Sequence, residues 1–468
     1  MRSLRRLGTP GWSRGLVEQV RSALIRSDII RRLVSLTSWS LVSFALEKGA
    51  MILIIFMLAR ILGAADYGRL ALAQGLVNTL QIFVVLGAGT ILNRYIPEMR
   101  EVSVQRAVQI VNLCGTVVLT TGVAVMAIGL FRAPMIAGQL LDLPASAQIS
   151  YWMLAWVLLS SASSLLMAVM LSFERGRSLG VIAFVSAALS IVAVPLLAEM
   201  HSVNGAVAGL VAVELVKTLA LGVAYVRFVH ASEAQVLSRF RRSDASLLLS
   251  FGLPAFLISA LWGPTMWLAQ IIVKSFAPEG LIAVGVFAFT NNIFGAVIII
   301  SSLTNRAALP IMSSLQARND HPRVRRMAWL MAAVQAGAAA VIGVPIALAA
   351  PVIMELAGPE FAEVWPVLLI MIATGVVLAG QTALGNYLLV VGRPYFLLGT
   401  MVVWTCVVLA TVGLFINSGA YSLAWGLLIG AVVRTLLIAA GAIKHVNKPA
   451  KADGAHFEDT IFKSNEIT

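Results

Sequence analysis

Charged residues are scarce in this sequence. Only 12% of its 468 residues are Asp, Glu, Lys or Arg, whereas soluble domains hold about a quarter. Hydrophobic residues make up 59%, and the mean hydropathy is +0.92. This composition excludes an ordinary soluble domain and predicts an all-α integral membrane protein that crosses the bilayer many times.

Residues that carry catalysis are also few. The two cysteines, Cys114 and Cys406, fall inside apolar runs, so the sequence offers no disulfide framework and no metal site. All five histidines lie in predicted loops or in the tail, which excludes a histidine proton relay at membrane depth. Because no P-loop pattern occurs, we expect neither ATP hydrolysis nor a bound cofactor. We expect no cleavable signal peptide, since residues 1–36 hold eight arginines and no continuous apolar core.

Long apolar runs, in contrast, are abundant. A helix needs about 20 apolar residues to cross a bilayer, and the sequence predicts twelve such spans. They cover residues 37–62, 70–93, 107–131, 148–173, 179–199, 204–229, 246–274, 282–309, 327–350, 363–391, 396–416 and 421–443. The predicted organisation is a basic arm (1–36), an N-terminal six-helix bundle (37–229), a linker (230–245), a C-terminal six-helix bundle (246–443) and a tail (444–468) that we expect to be disordered.

The distribution of basic residues predicts the orientation. With the N-terminus inside, 27 of the 34 Lys and Arg residues fall on the cytoplasmic side. Only Arg60, Arg69, Arg132 and Lys274 fall on the outer side. The positive-inside rule therefore places both termini in the cytoplasm of a bacterial inner membrane. Loop charges of this kind account for the net charge of +13 without a nucleic-acid partner.

The same landmarks recur in both halves of the chain, in the same order and at a nearly constant offset. Arg60 recurs as Lys274, the pair Asn93-Arg94 as Asn305-Arg306, and Gly176-Arg177 as Gly392-Arg393. Because each half contains an even number of spans, the halves share one orientation. We therefore expect a pseudo-twofold axis along the membrane normal.

Charged and polar residues inside the spans mark the candidate site. Glu47 and Lys48 lie near the middle of the first span, where a charge costs roughly 2.5–3.5 kcal/mol on insertion scales. They are consecutive and so cannot neutralise each other on one helix face. We therefore expect a cavity beside them, while Gln74, Asn78 and Gln81, on one face of the second span, fit either a cavity or a helix–helix seam.

Three further features have structural interpretations. Glu214 and Lys217 stand at i, i+3, which predicts an internal ion pair. Arg434 is expected to snorkel to the membrane interface. Pro254 and Pro264 interrupt the seventh span and form either a hinge for a conformational change or a static kink.

Several short motifs resemble one family of membrane proteins. They are Ala59-Arg60-Ile61-Leu62-Gly63 with Tyr67-Gly68, Asn93-Arg94-Tyr95-Ile96-Pro97-Glu98, Leu309-Pro310 to Leu315, and Leu356-Ala357-Gly358-Pro359-Glu360-Phe361. The likeness covers about residues 35–445 and is to the Wzx-type polysaccharide flippases of the multidrug/oligosaccharidyl-lipid/polysaccharide (MOP) exporter superfamily.

The resemblance implies a fold and a function. It implies twelve helices in two bundles around a central cavity that the first, second, seventh and eighth helices line. It also implies translocation of undecaprenyl-pyrophosphate-linked oligosaccharide towards the periplasm for a surface polysaccharide such as exopolysaccharide, capsule or O-antigen. Membrane lipids would be a second partner, and a polysaccharide polymerase and export machinery could be others.

The same resemblance suggests roles for the polar residues. A pyrophosphate needs fixed positive charge, which Lys48, Arg60, Lys274 and Arg306 could supply. A glycan needs hydrogen-bonding groups, which Gln74, Asn78, Gln81, Asn291 and Asn292 could supply. By analogy with the family, H⁺ or Na⁺ could drive the step, with Glu47 as the candidate carboxylate.

Two other functions compete with this one. An ion-coupled multidrug exporter of the same superfamily would need an acidic cavity for organic cations, but the spans hold at least as many cations as anions. A membrane polysaccharide polymerase or ligase would need a large outer loop with functional Arg or His. The largest predicted outer loop, 132–147, has one basic residue and no histidine.

Overall fold

The computed structural model describes residues 12–143, 148–236, 238–239, 256, 260–298, 304, 312, 315–316 and 320–444. Side chains are described from Gly49 onward, except those of 94, 98, 101, 102 and 137. Within these ranges the fold is all-helical. Nine of the described helices are long and apolar enough to cross a membrane, so the multi-pass prediction is confirmed, whereas the count of twelve stays a prediction.

The helices follow the predicted spans closely. They are α1 (Trp12–Val85), α2 (Ala88–Val102), α3 (Val104–Met135), α4 (Ile149–Ser172), α5 (Gly176–Ala231), α6 (Trp262–Phe276), α7 (Gly280–Val297), α8 (His321–Leu348), α9 (Ala350–Ala357), α10 (Pro359–Ala362), α11 (Pro366–Val390), α12 (Pro394–Leu414) and α13 (Ala420–Lys444). A π-helical turn, Ile136–Leu140, follows α3, and a 3-10 turn, Ile416–Ser418, precedes α13.

Two of these helices each contain two predicted spans. Gly63, at φ 70°, divides α1 into two segments, one for each of the first two predicted spans. His201 and Ser202 divide α5 in the same way. The predicted basic arm joins the first span without a break, because α1 is continuous from Trp12 to this kink.

The predicted end of the second span is wrong. The sequence predicted a span to residue 93, but the helix ends at Val85 because Leu86 and Gly87 adopt positive φ angles of 44° and 74°. A new helix, α2, then carries the chain past Asn93. Leu86 gives no sequence signal for this turn, since a leucine rarely adopts positive φ.

The internal repeat is visible in the backbone. Ser202 (φ 53°, ψ −132°) and Gly419 (φ 56°, ψ −123°) turn the chain in the same way at equivalent places in the two halves. Glu174 and Gly392, both at positive φ, follow the ends of α4 and α11 at nearly the same offset. The turn after α11 therefore corresponds to Glu174 and not to Gly176, which the sequence comparison had aligned with Gly392.

The predicted linker between the halves is anchored to the N-terminal half where the structure describes it. After α5 ends, the Gln235 backbone N–H donates to Gln105 Oε1 at 2.8 Å. Asn112 Nδ2 on α3 donates to the carbonyl oxygens of Val236 (2.9 Å) and Ser238 (3.0 Å).

One large cluster of buried apolar residues runs through both halves of the chain, so the seam between the halves is part of the core.

Candidate functional site

Two adjoining cavities lie at the seam between the halves. Cavity A, of about 200 Å³, is lined by both segments of α1, by α5 and by α7, and cavity B, of about 330 Å³, by α1, α6 and α7. Met51, Ile55 and Asn292 line both cavities. These elements correspond to the first, second, seventh and eighth predicted spans, with α5 in addition.

A few polar side chains stand on otherwise apolar walls. Tyr67, Gln74, Ser190 and Asn292 line cavity A, and Asn291 and Asn292 line cavity B. The amides of Gln74 and Asn291 make no hydrogen bond to any described residue. An apolar pocket with a small number of oriented polar groups is the usual form of a ligand site.

Beyond cavity A the halves are packed tightly at one end of the molecule, which we call the closed end. This end carries Gly63, Gly280 and Gly358, and the sequence predicts it to face outward. There a Cβ on Gly68 would lie 2.1 Å from the Leu281 carbonyl oxygen, and a Cβ on Gly285 would lie 1.9 Å from the Ala64 carbonyl oxygen. Backbone therefore meets backbone, which only glycine at these positions permits.

Hydrogen bonds and ring contacts join the halves at the same end. Glu360 Oε2 accepts from the Ala64 backbone N–H at 2.6 Å, and so caps the second segment of α1 from the other half of the chain. The rings of Tyr67, Phe289 and Phe361 meet edge to face or tilted, with centroids 5.2–6.4 Å apart. Tyr67 of this aromatic cluster also lines cavity A, so the closed end adjoins that cavity.

The structure places the four predicted headgroup cations differently. Lys274 Nζ pairs with Asp142 Oδ1 at 2.6 Å and the Gln139 carbonyl oxygen at 2.9 Å, across the halves at the closed end, and it lines neither cavity. Arg60 is exposed one turn before Gly63 and also lines neither. Lys48 lies one helical turn before Met51 and Ile52, which line the cavities, but its side chain and the whole of Arg306 lie outside the described residues. The role of these two cations stays a prediction.

Of the five predicted glycan ligands, three line the cavities and two do not. Gln74, Asn291 and Asn292 reach the cavities. Gln81 lies in a helix–helix seam, since its Nε2 donates to the Ser160 carbonyl oxygen (2.9 Å) and Ser164 Oγ (2.7 Å) on α4. The Asn78 side chain is exposed and lines neither cavity.

The other charged residues inside the spans contact neighbouring helices. Lys217 Nζ lies 3.8 Å from Glu214 Oε1, so the predicted i, i+3 pair is confirmed, and Glu214 Oε2 accepts from Ser163 Oγ at 2.9 Å. Arg434 contacts the neighbouring helix α11, and its expected extension to the membrane interface stays a prediction. Its Nε is buried, and Nη1 donates to the Gln381 amide oxygen on α11 at 3.2 Å when the Gln381 nitrogen faces Thr435.

The predicted hinge prolines and the predicted coupling carboxylate lie only partly within the described residues. Pro264 stands in the first turn of α6, where its missing N–H costs no hydrogen bond. Pro254 and the Glu47 side chain lie outside the described residues, so the hinge and the coupling site stay predictions. No group of three or more potential metal ligands occurs in the parts of the chain that the structure describes.

Sequence reasoning missed two residues of this region. The sequence predicts no site role for Tyr67 or Glu360, which occur only within the family motifs. Tyr67 stands between Asp66 and Arg69 in the predicted connection between the first two spans, so nothing nearby in the sequence indicated that its side chain is buried. For Glu360 there was no local signal, since its partner is a backbone amide 296 residues away.

Comparisons with known proteins agree with this fold. A family model described as "Polysaccharide biosynthesis protein" matches residues 33–316. An inward-facing conformation of a multidrug resistance MATE family transporter of the MOP superfamily matches with a TM-score of 0.70 and 14% identity, over 88% of this chain and 99% of that one. An outward-facing conformation of such a transporter matches with a TM-score of 0.64 and 15% identity, over 89% of this chain and 95% of that one. The eukaryotic MATE transporter AtDTX14 matches with a TM-score of 0.64 and 14% identity, over 88% of this chain and 95% of that one.

No curated protein sequence matches the chain significantly. At these low identities the solved structures establish the fold alone. The family model and the fold together confirm the resemblance that the motifs indicated, and the solved structures give the chain a MATE-like fold.

Proposed function

The chain belongs to the polysaccharide biosynthesis protein family, and on that premise we propose that it is a flippase for lipid-linked oligosaccharide. The proposed cargo is undecaprenyl-pyrophosphate-linked oligosaccharide, moved across the bacterial inner membrane for export of a surface polysaccharide. The two halves would expose the seam cavities to each side in turn, while the polyprenyl chain stays in the lipid.

The observation that carries this proposal is the amide lining of the cavities. Gln74, Asn291 and Asn292 present both donors and acceptors from α1 and α7. A sugar hydroxyl is also both a donor and an acceptor, so these groups suit a glycan better than an apolar drug. Cavity A alone is small for an oligosaccharide, and the proposal therefore requires the halves to separate during transport.

The pyrophosphate would be met by cations at the cavity margin. Lys48, one turn from the lining residues Met51 and Ile52, and Arg306, which follows α7 in sequence, remain our candidates for this role. A fixed cation in a site of low dielectric makes strong charge-assisted hydrogen bonds to phosphate oxygens. If transport is coupled to H⁺ or Na⁺, Glu47 is the proposed carboxylate.

A multidrug exporter is the second candidate, because its fold is the same. An exporter of organic cations needs negative charge in the cavity. Cavities A and B have no Asp or Glu among their described lining residues, and the spans of the C-terminal half hold acidic residues only near helix ends. Both facts favour a neutral or anionic cargo.

Deletion of the gene tests the proposal. We expect lipid-linked oligosaccharide to accumulate on the cytoplasmic leaflet, which would identify both the cargo and the direction. In complementation, Gln74→Leu, Asn292→Leu, Lys48→Ala and Arg306→Ala should impair export at normal membrane levels. Thr382→Val is a matched control, because its hydroxyl bonds only within α11. Normal export by all four variants, or accumulation of a drug instead, would refute the proposal.

A further inference from the structure

One hydrogen bond joins the two halves on the wall of cavity A itself. Asn292 Nδ2 on α7 donates to the Tyr67 hydroxyl oxygen on α1 at 3.1 Å. Other cross-half hydrogen bonds, such as Trp267 Nε1 to the Leu72 carbonyl oxygen at 3.2 Å, join residues that line neither cavity. A molecule in cavity A therefore touches both partners of this bond.

The same tyrosine belongs to the contacts that seal the closed end. Its ring packs against Phe289 and Phe361, and only 4% of its surface is exposed. The Ala64 amide that Glu360 caps lies one turn before it, and the close contact of Gly68 with α7 follows directly after it. A shift of Tyr67 would thus disturb the whole seal.

The bond also leaves capacity for a ligand. The Tyr67 oxygen accepts from Asn292, but its own proton has no acceptor among the described residues. Asn292 keeps its amide oxygen and a second N–H on the side of cavities A and B. A vicinal pair of sugar hydroxyls matches this set, because each hydroxyl can donate and accept.

We propose that the Tyr67–Asn292 hydrogen bond is a saccharide-sensitive latch of the closed end, and that Tyr67 is a positioning and specificity residue for transport. A sugar in cavity A takes over the hydrogen bonds of both side chains and so releases α1 from α7. The exchange replaces one hydrogen bond by others and costs little. The sugar then favours the open state because it binds that state better. This inference rests on the proposed function.

The test measures opening at the closed end in the full chain. With both native cysteines replaced, spin labels at Arg132→Cys and Leu414→Cys report the distance between the halves from exposed positions at that end. The probes are farnesyl pyrophosphate, alone or carrying glucose or N-acetylglucosamine. The difference between the sugar-bearing and bare probes isolates the effect of the sugar, and a thermal shift records binding separately.

Three variants separate the possible causes. Tyr67→Phe removes only the hydroxyl. Tyr225→Phe makes the same change where the hydroxyl has no described partner, and Trp267→Phe removes a cross-half hydrogen bond between residues that line neither cavity. Loss of one such bond should raise the open-to-closed ratio about 3- to 10-fold without ligand in Tyr67→Phe and in Trp267→Phe, but not in Tyr225→Phe.

The sugar-specific opening decides the question. We expect it in the wild type, Trp267→Phe and Tyr225→Phe, and we expect its loss in Tyr67→Phe. Equal sugar-specific opening in Tyr67→Phe and Trp267→Phe would overturn the latch. Binding of a sugar-bearing probe to the wild type without sugar-specific opening would also overturn it, and would leave the proposed function standing. Failure of every sugar-bearing probe to bind the wild type would overturn both.

Discussion

The contact of Gly68 with α7 makes a sharp prediction about the conformational equilibrium. In Gly68→Ala the new methyl carbon would lie 2.1 Å from the Leu281 carbonyl oxygen, whereas ordinary van der Waals contact begins at 3.4 Å. The obstacle is backbone, so the helices must separate. Overpacking of this kind costs about 1–3 kcal/mol. If this cost falls on the closed state alone, the open-to-closed ratio rises about 5- to 150-fold.

Labelling of a cysteine at the closed end by a membrane-impermeant reagent measures this shift. The matched control is Gly222→Ala, which adds the same methyl group where nothing lies within 4 Å. We expect faster labelling in Gly68→Ala and wild-type labelling in the control, at equal expression. Wild-type labelling in Gly68→Ala would show that the glycine contact does not hold the closed end shut.

Two further predictions separate roles at single residues. Lys274→Asp combined with Asp142→Lys reverses the ion pair. If Lys274 serves only to hold the closed end shut, each single variant should raise the open-to-closed ratio several-fold, because a partly exposed ion pair contributes about 1 kcal/mol. The double variant should then restore both closure and export. A role in binding the headgroup would instead leave the double variant inactive. Gln81→Leu should lower thermal stability, by up to about 1.7 kcal/mol for a membrane hydrogen bond, with normal transport per folded molecule, whereas Gln74→Leu should fold normally and transport poorly. If instead Gln81→Leu transports poorly and Gln74→Leu loses only stability, then Gln81 and not Gln74 faces the cargo.

The sequence predicted the positions of the helices well and their contacts poorly. A span is a local property, because every backbone group must be satisfied within its own helix, and so α4 and α13 lie within two residues of their predicted bounds. The partner of Lys274 is different, since Asp142 lies 132 residues away in a connection between helices. No periodicity encodes such a contact.

The candidate site shows the same division. The polar stripe of the second span was visible, but helical spacing alone could not tell which residues face the other half. Gln74 faces cavity A, while Gln81, two helical turns later, faces α4. The rotation of a helix relative to its neighbours is set by packing, for example by the glycine contact at Gly68. The rotation of a helix therefore depends on contacts between residues far apart in the sequence, which helical spacing does not reveal.

The backbone repeat extends to the charges inside the spans, and this bears on the cargo. Lys217 follows the Ser202 turn at the same sequence distance at which Arg434 follows the Gly419 turn. The N-terminal cation lies beside the carboxylate of Glu214, whereas the position of Glu214 relative to the turn corresponds to Ala431 in the C-terminal half. Arg434 there meets the neutral amide of Gln381. One half thus pairs the repeated cation with a carboxylate, and the other pairs it with a neutral amide. If the proposed function holds, the uncompensated charge of Arg434 opposes the passage of organic cations and suits an anionic headgroup.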